Sequence, residues 1–161
     1  IKMYTKILVP LDGSETSECS LPHVKAIALG CGVPDVILLR VVEPIFNVEA
    51  EVTAKAGRDL MAQVEEENKE NGQAYLNRLV GEFTAEGIHT SAALGYGKPA
   101  DEIIDFAEKH NVDLIVMCTH GRSGLTRWVL GSVGEKVVRH SPVPVLTVSP
   151  AGRKSAAKSR K

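Results

Sequence analysis

The sequence predicts a doubly wound α/β domain: a five-stranded parallel sheet in a single domain, with helices on both faces. Three observations carry this. Short apolar runs rich in β-branched residues alternate along the chain with stretches whose apolar residues repeat at three and four. Most connections between them are brief, and strict alternation with brief connections means parallel strands joined by right-handed crossovers. At 161 residues the chain has room for one such domain with a proper core and is too short for two ordinary ones.

The elements follow in chain order. "KILVP" (6–10) is the first strand, and Leu21, Val24, Ile27 and Ala28 mark the apolar stripe of a first helix with Pro22 near its start. "DVILLRVV" (35–42) is nearly continuous in apolar residues, as a strand buried on both faces should be. The longest connection, 43–58, "EPIFNVEAEVTAKAGR", reads as an exposed loop or a lid, and "EEENKEN" (65–71) after it as a frayed helix. Tyr75, Leu76, Leu79, Val80 and Phe83 then define a helical face, and "IHTSAAL" (88–94) is the weakest of the five strands. Ala100, Ile103, Ile104 and Ala107 mark the next helix and "LIVM" (114–117) the next strand. Val133, Val137 and Val138 give the last helix, stopped by Ser141-Pro142, before "VPVLTV" (143–148). The domain is therefore expected over 1–150, with 151–161 as a basic disordered tail.

Composition narrows the function classes. Hydrophobic residues make up 43% and charged residues 24%, and no apolar run approaches bilayer length, so a soluble protein with no membrane partner is expected. "IKMYTK" lacks the apolar core of a signal peptide, which makes a cytoplasmic location the expectation. Cys19, Cys31 and Cys118 show no CxxC spacing and no histidines at metal-ligand intervals; they read as reduced, mostly buried small hydrophobes, and no resident metal is expected. The tail carries Arg153, Lys154, Lys158, Arg160 and Lys161 without an acid. The remainder holds 14 basic against 20 acidic residues, and an acidic body argues against nucleic acid as a partner.

In a sheet of this class, ligands bind outside the carboxyl ends of the strands, where strand order reverses. The first strand ends in "PLDGSETS", with Asp12 followed by Ser14, Thr16 and Ser17 as candidate caps. The fourth runs through Met117 and Cys118 into a stretch rich in glycine, "THGRSGLTRWVLGSVG". A helix beginning at Ser132 offers the N–H groups of Val133 and Gly134 at its positive end, and Gly121 and Gly131 let backbone approach phosphate oxygens. The same residues allow a purely structural reading, because Ser132 to Glu135 spells an S-x-x-E capping box and Gly131 could simply turn the chain.

"PLDGSETSECSLPHV", "GKPADEIIDFA" and "MCTHGRSGLTRWVLGSVGEKVVRHSPVPVLTV" together resemble the universal stress protein family, from Tyr4 to Val148. Its ATP-binding members carry a glycine, two residues, a glycine, nine residues, and a glycine followed by Ser or Thr. Gly121, Gly131 and Ser132 match that pattern, but its first position is Cys118. Gly124 cannot replace it, since only six residues separate Gly124 from Gly131. The resemblance implies that Pro10 and Val41 line the adenine, that Leu11 is among the nucleotide-binding residues, that Asp12 binds ribose hydroxyls and that Met117 flanks the sugar. By the same resemblance, Cys118, His120, Gly121, Arg122, Gly131, Ser132 and Val133 surround the phosphates of ATP, which Mg²⁺ accompanies. It further implies a symmetric homodimer through the fifth strand, around Val145 and Thr147.

The reading is an ATP-binding protein of stress response or signalling that acts through an unknown protein partner, with slow or no hydrolysis and no catalytic residue assigned. One alternative is a dimeric interaction module that does not bind ATP because Cys118 replaces the motif glycine. Another is a slow adenine-nucleotide hydrolase or transferase using His120 and Arg122. At Cys118 the glycine could be wanted for a positive φ or for ligand packing against bare backbone, and the second is favoured because Cys118 continues a strand. A redox role for Cys118 is the rival, with no resolving cysteine nearby in sequence. "GYGKPA" (95–100) imitates a dinucleotide fingerprint, but it lies in the wrong β-α turn and lacks an acid at the end of the following strand. There is no P-loop, and neither the acid nor the lysine of a response regulator stands at its strand end. His23, His89, His110 and His140 read as surface or structural residues without partners.

Overall fold

A computed structural model of the chain describes residues 3–44, 55–119 and 130–150. The order is β1 (Lys6–Pro10), a 3₁₀ turn (Ser17–Ser20), α1 (Leu21–Cys31), β2 (Asp35–Val42) and α2 (Lys55–Ala85). It continues through β3 (Thr90–Tyr96), α3 (Pro99–Lys109), β4 (Leu114–Cys118), α4 (Ser132–His140) and β5 (Val145–Val148). The strands form one parallel sheet in the order β3-β2-β1-β4-β5. From β1 the chain winds outward through β2 and β3, then crosses back to place β4 on the other side of β1. The reversal therefore lies between β1 and β4.

Alternation along each strand feeds two cores. Ile7, Val9, Val36, Leu38 and Val116 point to the α1 and α2 face, where they meet Val24, Leu76, Leu79 and Phe83. Leu8, Ile37, Leu39, Ile115 and Met117 point the other way, to Ile103, Ala107 and Val137 of α3 and α4. This is why the strands read as continuous apolar runs rather than as alternating ones. At the floor of the sheet the Asp113 carboxylate accepts from the Thr5 amide at 2.7 Å, the Thr5 hydroxyl at 2.6 Å and the Lys6 amide at 3.1 Å, fixing the start of β4 beside the start of β1.

Three expectations are corrected. Helix α2 is 31 residues long: 55–58, read as loop, and "EEENKEN", read as frayed, belong to one continuous helix. Its polar half is rich in good helix formers, among them Leu60, Met61, Ala62 and Gln63 and the run Glu65 to Glu67, and Leu76, Leu79 and Phe83 anchor the helix near its other end. Residues 45–54 of the expected loop lie outside the described residues. Strand β3 begins at Thr90 rather than at 88, since Ile88 is held by the end of α2, its amide donating to the Phe83 carbonyl at 3.0 Å. Two histidines also have partners: His89 Nδ1 lies 3.4 Å from Asp35, and the His110 ring stacks on Phe106 with centroids 3.9 Å apart.

Candidate nucleotide site

A cleft of about 470 Å³ opens at the carboxyl ends of β1, β2 and β4, at the reversal of strand order. Pro10, Leu11 and Asp12 form one side of it and Val41 another, with Met117 and Cys118 at the end of β4. Gly131, Ser132 and Val133 close it at the start of α4. Nine of the twelve residues expected at the site thus line a single cavity. The other three, His120, Gly121 and Arg122, lie outside the described residues.

Local structure explains each wall. Asp12 leaves β1 and turns the chain: its Oδ1 accepts from the Ser14 amide at 2.9 Å and the Ser14 hydroxyl at 2.6 Å. Ser14 in turn starts the 3₁₀ turn by accepting from the Ser17 amide, at 3.1 Å on its carbonyl and 3.2 Å on its hydroxyl. Gly13 between them has φ +85°, a conformation that calls for glycine, and a Cβ there would stand 2.9 Å from Arg40 Nη1, so that the end of the Arg40 side chain would have to shift.

At the opposite wall, Gly131 is the N-cap of α4 and no side chain caps the helix. The capping box of the purely structural reading is not formed: Ser132 is already helical, and the Glu135 carboxylate accepts from Arg139 at 2.9 Å. The first amides of α4 are left without intrahelical partners, facing the cleft with the positive end of the helix. Gly131 has φ −57° and ψ 155°, which any residue can adopt, and among the described residues a Cβ there would meet only the Thr119 carbonyl oxygen, at an ordinary 3.5 Å. Among the described residues, packing does not require this glycine. A ligand seated against the backbone would.

Cys118 is an ordinary extended residue, since Asn111 is the only non-glycine residue with positive φ among those described. A need for positive φ is thereby removed as the reason for glycine here. The expectation of three reduced cysteines is also corrected: Cys118 is joined by a disulfide to Cys19, across 99 residues of sequence and with Cα atoms 6.2 Å apart. The 3₁₀ turn folds over the end of β4 and brings the pair together on the α1 and α2 face. Cys31 is free and exposed.

Sequence reasoning missed Arg40, Glu43, Asn68 and Thr119 in the cleft wall. Arg40 left a signal, a lone charge inside the apolar run of β2. Its guanidinium packs beside Gly13 and lies 5.6 Å from the centre of the Tyr75 ring. Burial, aided by nearby Glu18, pushes the Tyr75 phenol above its ordinary range, which keeps that ring neutral. Asn68 gave no signal, because it lies in the polar half of α2. Outside the cleft lining, Lys136 of α4 bonds Asp101 of α3 at 2.5 Å and holds that carboxyl below its ordinary range. The dinucleotide-like "GYGKPA" turn is filled by the protein itself, with Glu102 Oε2 and Cγ each 3.3 Å from where a Cβ would stand on Gly95 and Gly97.

A parallel five-stranded sheet with a glycine-edged cleft at its switch point places the chain among the doubly wound α/β proteins, which bind ligands at that point. The profile of the universal stress protein family matches residues 3–149, and the chain belongs to that family. It is 36% identical over 148 residues to universal stress protein MJ0531 of Methanocaldococcus jannaschii, covering 91% of this chain and 82% of that one. To MJ0577 of the same organism it is 34% identical over 155 residues, covering 91% and 95%. The solved structure of MJ0577 superposes with a TM-score of 0.78 over 94% of this chain and 99% of that one, at 32% identity. The fold is shared more distantly with an Arabidopsis thaliana family member solved with AMP bound, at 20% identity and TM-score 0.65, over 96% and 97% of the two chains.

Proposed function

We propose that the chain binds an adenine nucleotide, ATP with Mg²⁺, in the cleft and acts in stress response or signalling through a protein partner, with slow or no hydrolysis. The observation that carries this is Gly131, whose missing side chain serves no contact within the described protein and leaves the backbone bare beside the uncapped start of α4. The cleft has the size of a small-ligand site, within the range of about 300–1,000 Å³. In this reading the adenine lies against Pro10, Leu11 and Val41, Asp12 takes the ribose hydroxyls, and Met117 flanks the sugar. The triphosphate runs past Cys118 to Ser132 and Val133, with His120, Gly121 and Arg122 completing its surroundings. In this reading Mg²⁺ is carried into the cleft on the phosphates. The AMP held by the Arabidopsis relative supports the adenine class.

The acting form in this proposal is a cytoplasmic homodimer. Among the described residues no helix is long and apolar enough to cross a membrane, and β5 lies at the sheet edge. Nucleotide carried through native purification, identified by mass spectrometry and then titrated back by calorimetry, tests the binding. Absence of adenine nucleotide in both measurements overturns it. That result would favour the dimeric interaction module, a reading that draws on the cysteine side chain present where the nucleotide pattern has glycine. Timed turnover of bound ATP tests the slow hydrolase that uses His120 and Arg122.

A further inference from the structure

We propose that Cys19 and Cys118 are a reversible thiol–disulfide switch built into the wall of the cleft, and that the disulfide form holds nucleotide better than the dithiol form. The coupling rests on the nucleotide reading above; the redox chemistry of the pair does not. Cys118 sits at the end of β4, buried and lining the cleft. Cys19 lies in the 3₁₀ turn that follows Asp12, so the bond ties the Asp12 wall to the β4 wall.

The direction of the coupling follows from where the sulfur can go. In the disulfide, Cys118 Sγ is held under the 3₁₀ turn, on the α1 and α2 face and away from the space that a phosphate or sugar would take. In the dithiol form, Sγ can rotate among staggered wells, and on a strand these include one that leans along the strand direction, here into the cleft. A thiol in that position occupies the space that the family pattern leaves to glycine. Cys19 Sγ lies 3.7 Å from the Val148 carbonyl, which can accept from the free Cys19 thiol and hold it near the resting position.

The exchange partner is a low-molecular-weight thiol and its disulfide. A reagent thiolate attacks the Sγ of Cys19, the more exposed of the two residues, and the Cys19–Cys118 bond breaks with its electron pair on Cys118, which takes a proton. A second reagent thiolate attacks the reagent sulfur of the mixed disulfide, releasing Cys19 as a thiol. One protein disulfide and two reagent thiols become one protein dithiol and one reagent disulfide. By linkage, whatever factor separates the ATP affinities of the two forms also shifts the thiol–disulfide equilibrium when ATP is bound.

The test uses the full chain carrying Cys31→Ser, which prevents bridging between molecules through the exposed thiol. The fraction of Cys19–Cys118 disulfide is measured by alkylation and mass spectrometry across glutathione buffers with and without ATP, and ATP affinity by calorimetry in fully oxidised and fully reduced protein. The expected result is a titratable midpoint, an affinity at least threefold higher in the oxidised form, and a shift of the midpoint toward disulfide when ATP is present. Cys19→Ser should bind as the reduced protein does under both conditions, and Cys118→Gly should bind at least as well as the oxidised protein under both. A pair that stays wholly bridged or wholly reduced across the buffers overturns the switch. Equal affinities in the two forms overturn the coupling. If the oxidised, reduced and Cys118→Gly proteins all fail to bind ATP, the nucleotide reading and the coupling with it are overturned, while the midpoint without ATP still decides whether the pair is a switch.

Discussion

Gly131 donates its amide to the Thr119 carbonyl at 3.1 Å, joining the residue just after β4 to the N-cap of α4 and so setting the two side by side. That bond needs the Gly131 backbone and nothing of its missing side chain. Gly131→Val keeps an accessible φ and ψ and meets the Thr119 oxygen at ordinary contact distance, so its cost in stability should be about 1 kcal/mol or less, the scale of losing glycine at an N-cap. ATP affinity should fall at least tenfold, because the added methyls fill the space beside the helix start. Denaturant midpoints and calorimetry on the same preparations separate the two quantities. A variant that is destabilised by several kcal/mol with affinity intact would make Gly131 a structural glycine.

Gly13 makes the opposite prediction. Its φ of +85° disfavours any β-carbon by about 1–2 kcal/mol, and the added atom would also push the Arg40 guanidinium from its place in the cleft wall. Gly13→Ala should therefore lower the thermal midpoint and weaken ATP together. Arg40→Lys, which keeps the charge but not the planar contact, should weaken ATP with little change in midpoint.

These two glycines show what was legible in the chain and what was not. The strand cores could be read directly, because a parallel strand buried on both faces has to be apolar at nearly every position, and β1, β2 and β4 are. The strand ends then located Asp12, Val41 and Met117, since topology alone sends ligands there. Gly131 could be placed but not interpreted, as its sequence context fits a capping box equally well. The N-cap position of Gly131, with Ser132 already helical, and the direction of Glu135, turned to Arg139, separate the two. The start of α2 was hidden because a helix held by packing near one end leaves no stripe along the other. The Cys19–Cys118 bond was illegible for a different reason: 99 residues separate the partners, and the 3₁₀ turn that brings Cys19 over β4 has no periodicity to announce it.

That same separation predicts a large contribution to stability. Closing a loop of this length restricts the unfolded chain by up to about 4.7 kcal/mol in the loop-entropy account. Reduction should lower the thermal midpoint by roughly 5–15 °C for a domain of this size. Cys19→Ser should start from the lower midpoint and show no further fall on reduction, measured by scanning calorimetry with and without reductant. A midpoint unmoved by reduction in the parent protein would contradict this expectation.

Asp113 allows the fold to be weakened without touching the cleft. It collects three hydrogen bonds at the amino ends of β1 and β4, the opposite end of the sheet from Asp12 and Cys118. Asp113→Ala leaves the Thr5 and Lys6 donors to water and should cost about 1–3 kcal/mol. ATP affinity at a temperature well below the midpoint should be unchanged. Loss of affinity in this variant would mean that the cleft senses the packing of the whole sheet rather than its own walls.

The last prediction concerns β5, the edge strand beside β4. The Pro144 and Val148 carbonyls accept from Ile115 and Thr119 of the β4 segment, so by alternation the backbone groups of Val145 and Thr147 point away from the sheet. An apolar edge with outward-pointing N–H and C=O groups is a pairing surface, and Leu146 on it is 38% exposed. Two copies related by a twofold axis would pair these edges antiparallel, each Thr147 amide donating across the axis. Thr147→Pro removes that donor at a position where an edge strand tolerates proline, since no bond within the sheet uses it. The parent should have the mass of two chains at micromolar concentration in light scattering, and Thr147→Pro should move toward one chain with its circular dichroism spectrum retained. Replacing Leu146 with Lys should have the same effect through its charge while leaving every backbone donor in place. A parent that is already monomeric at that concentration, or a Thr147→Pro protein that remains fully dimeric, would place the contact somewhere other than this edge.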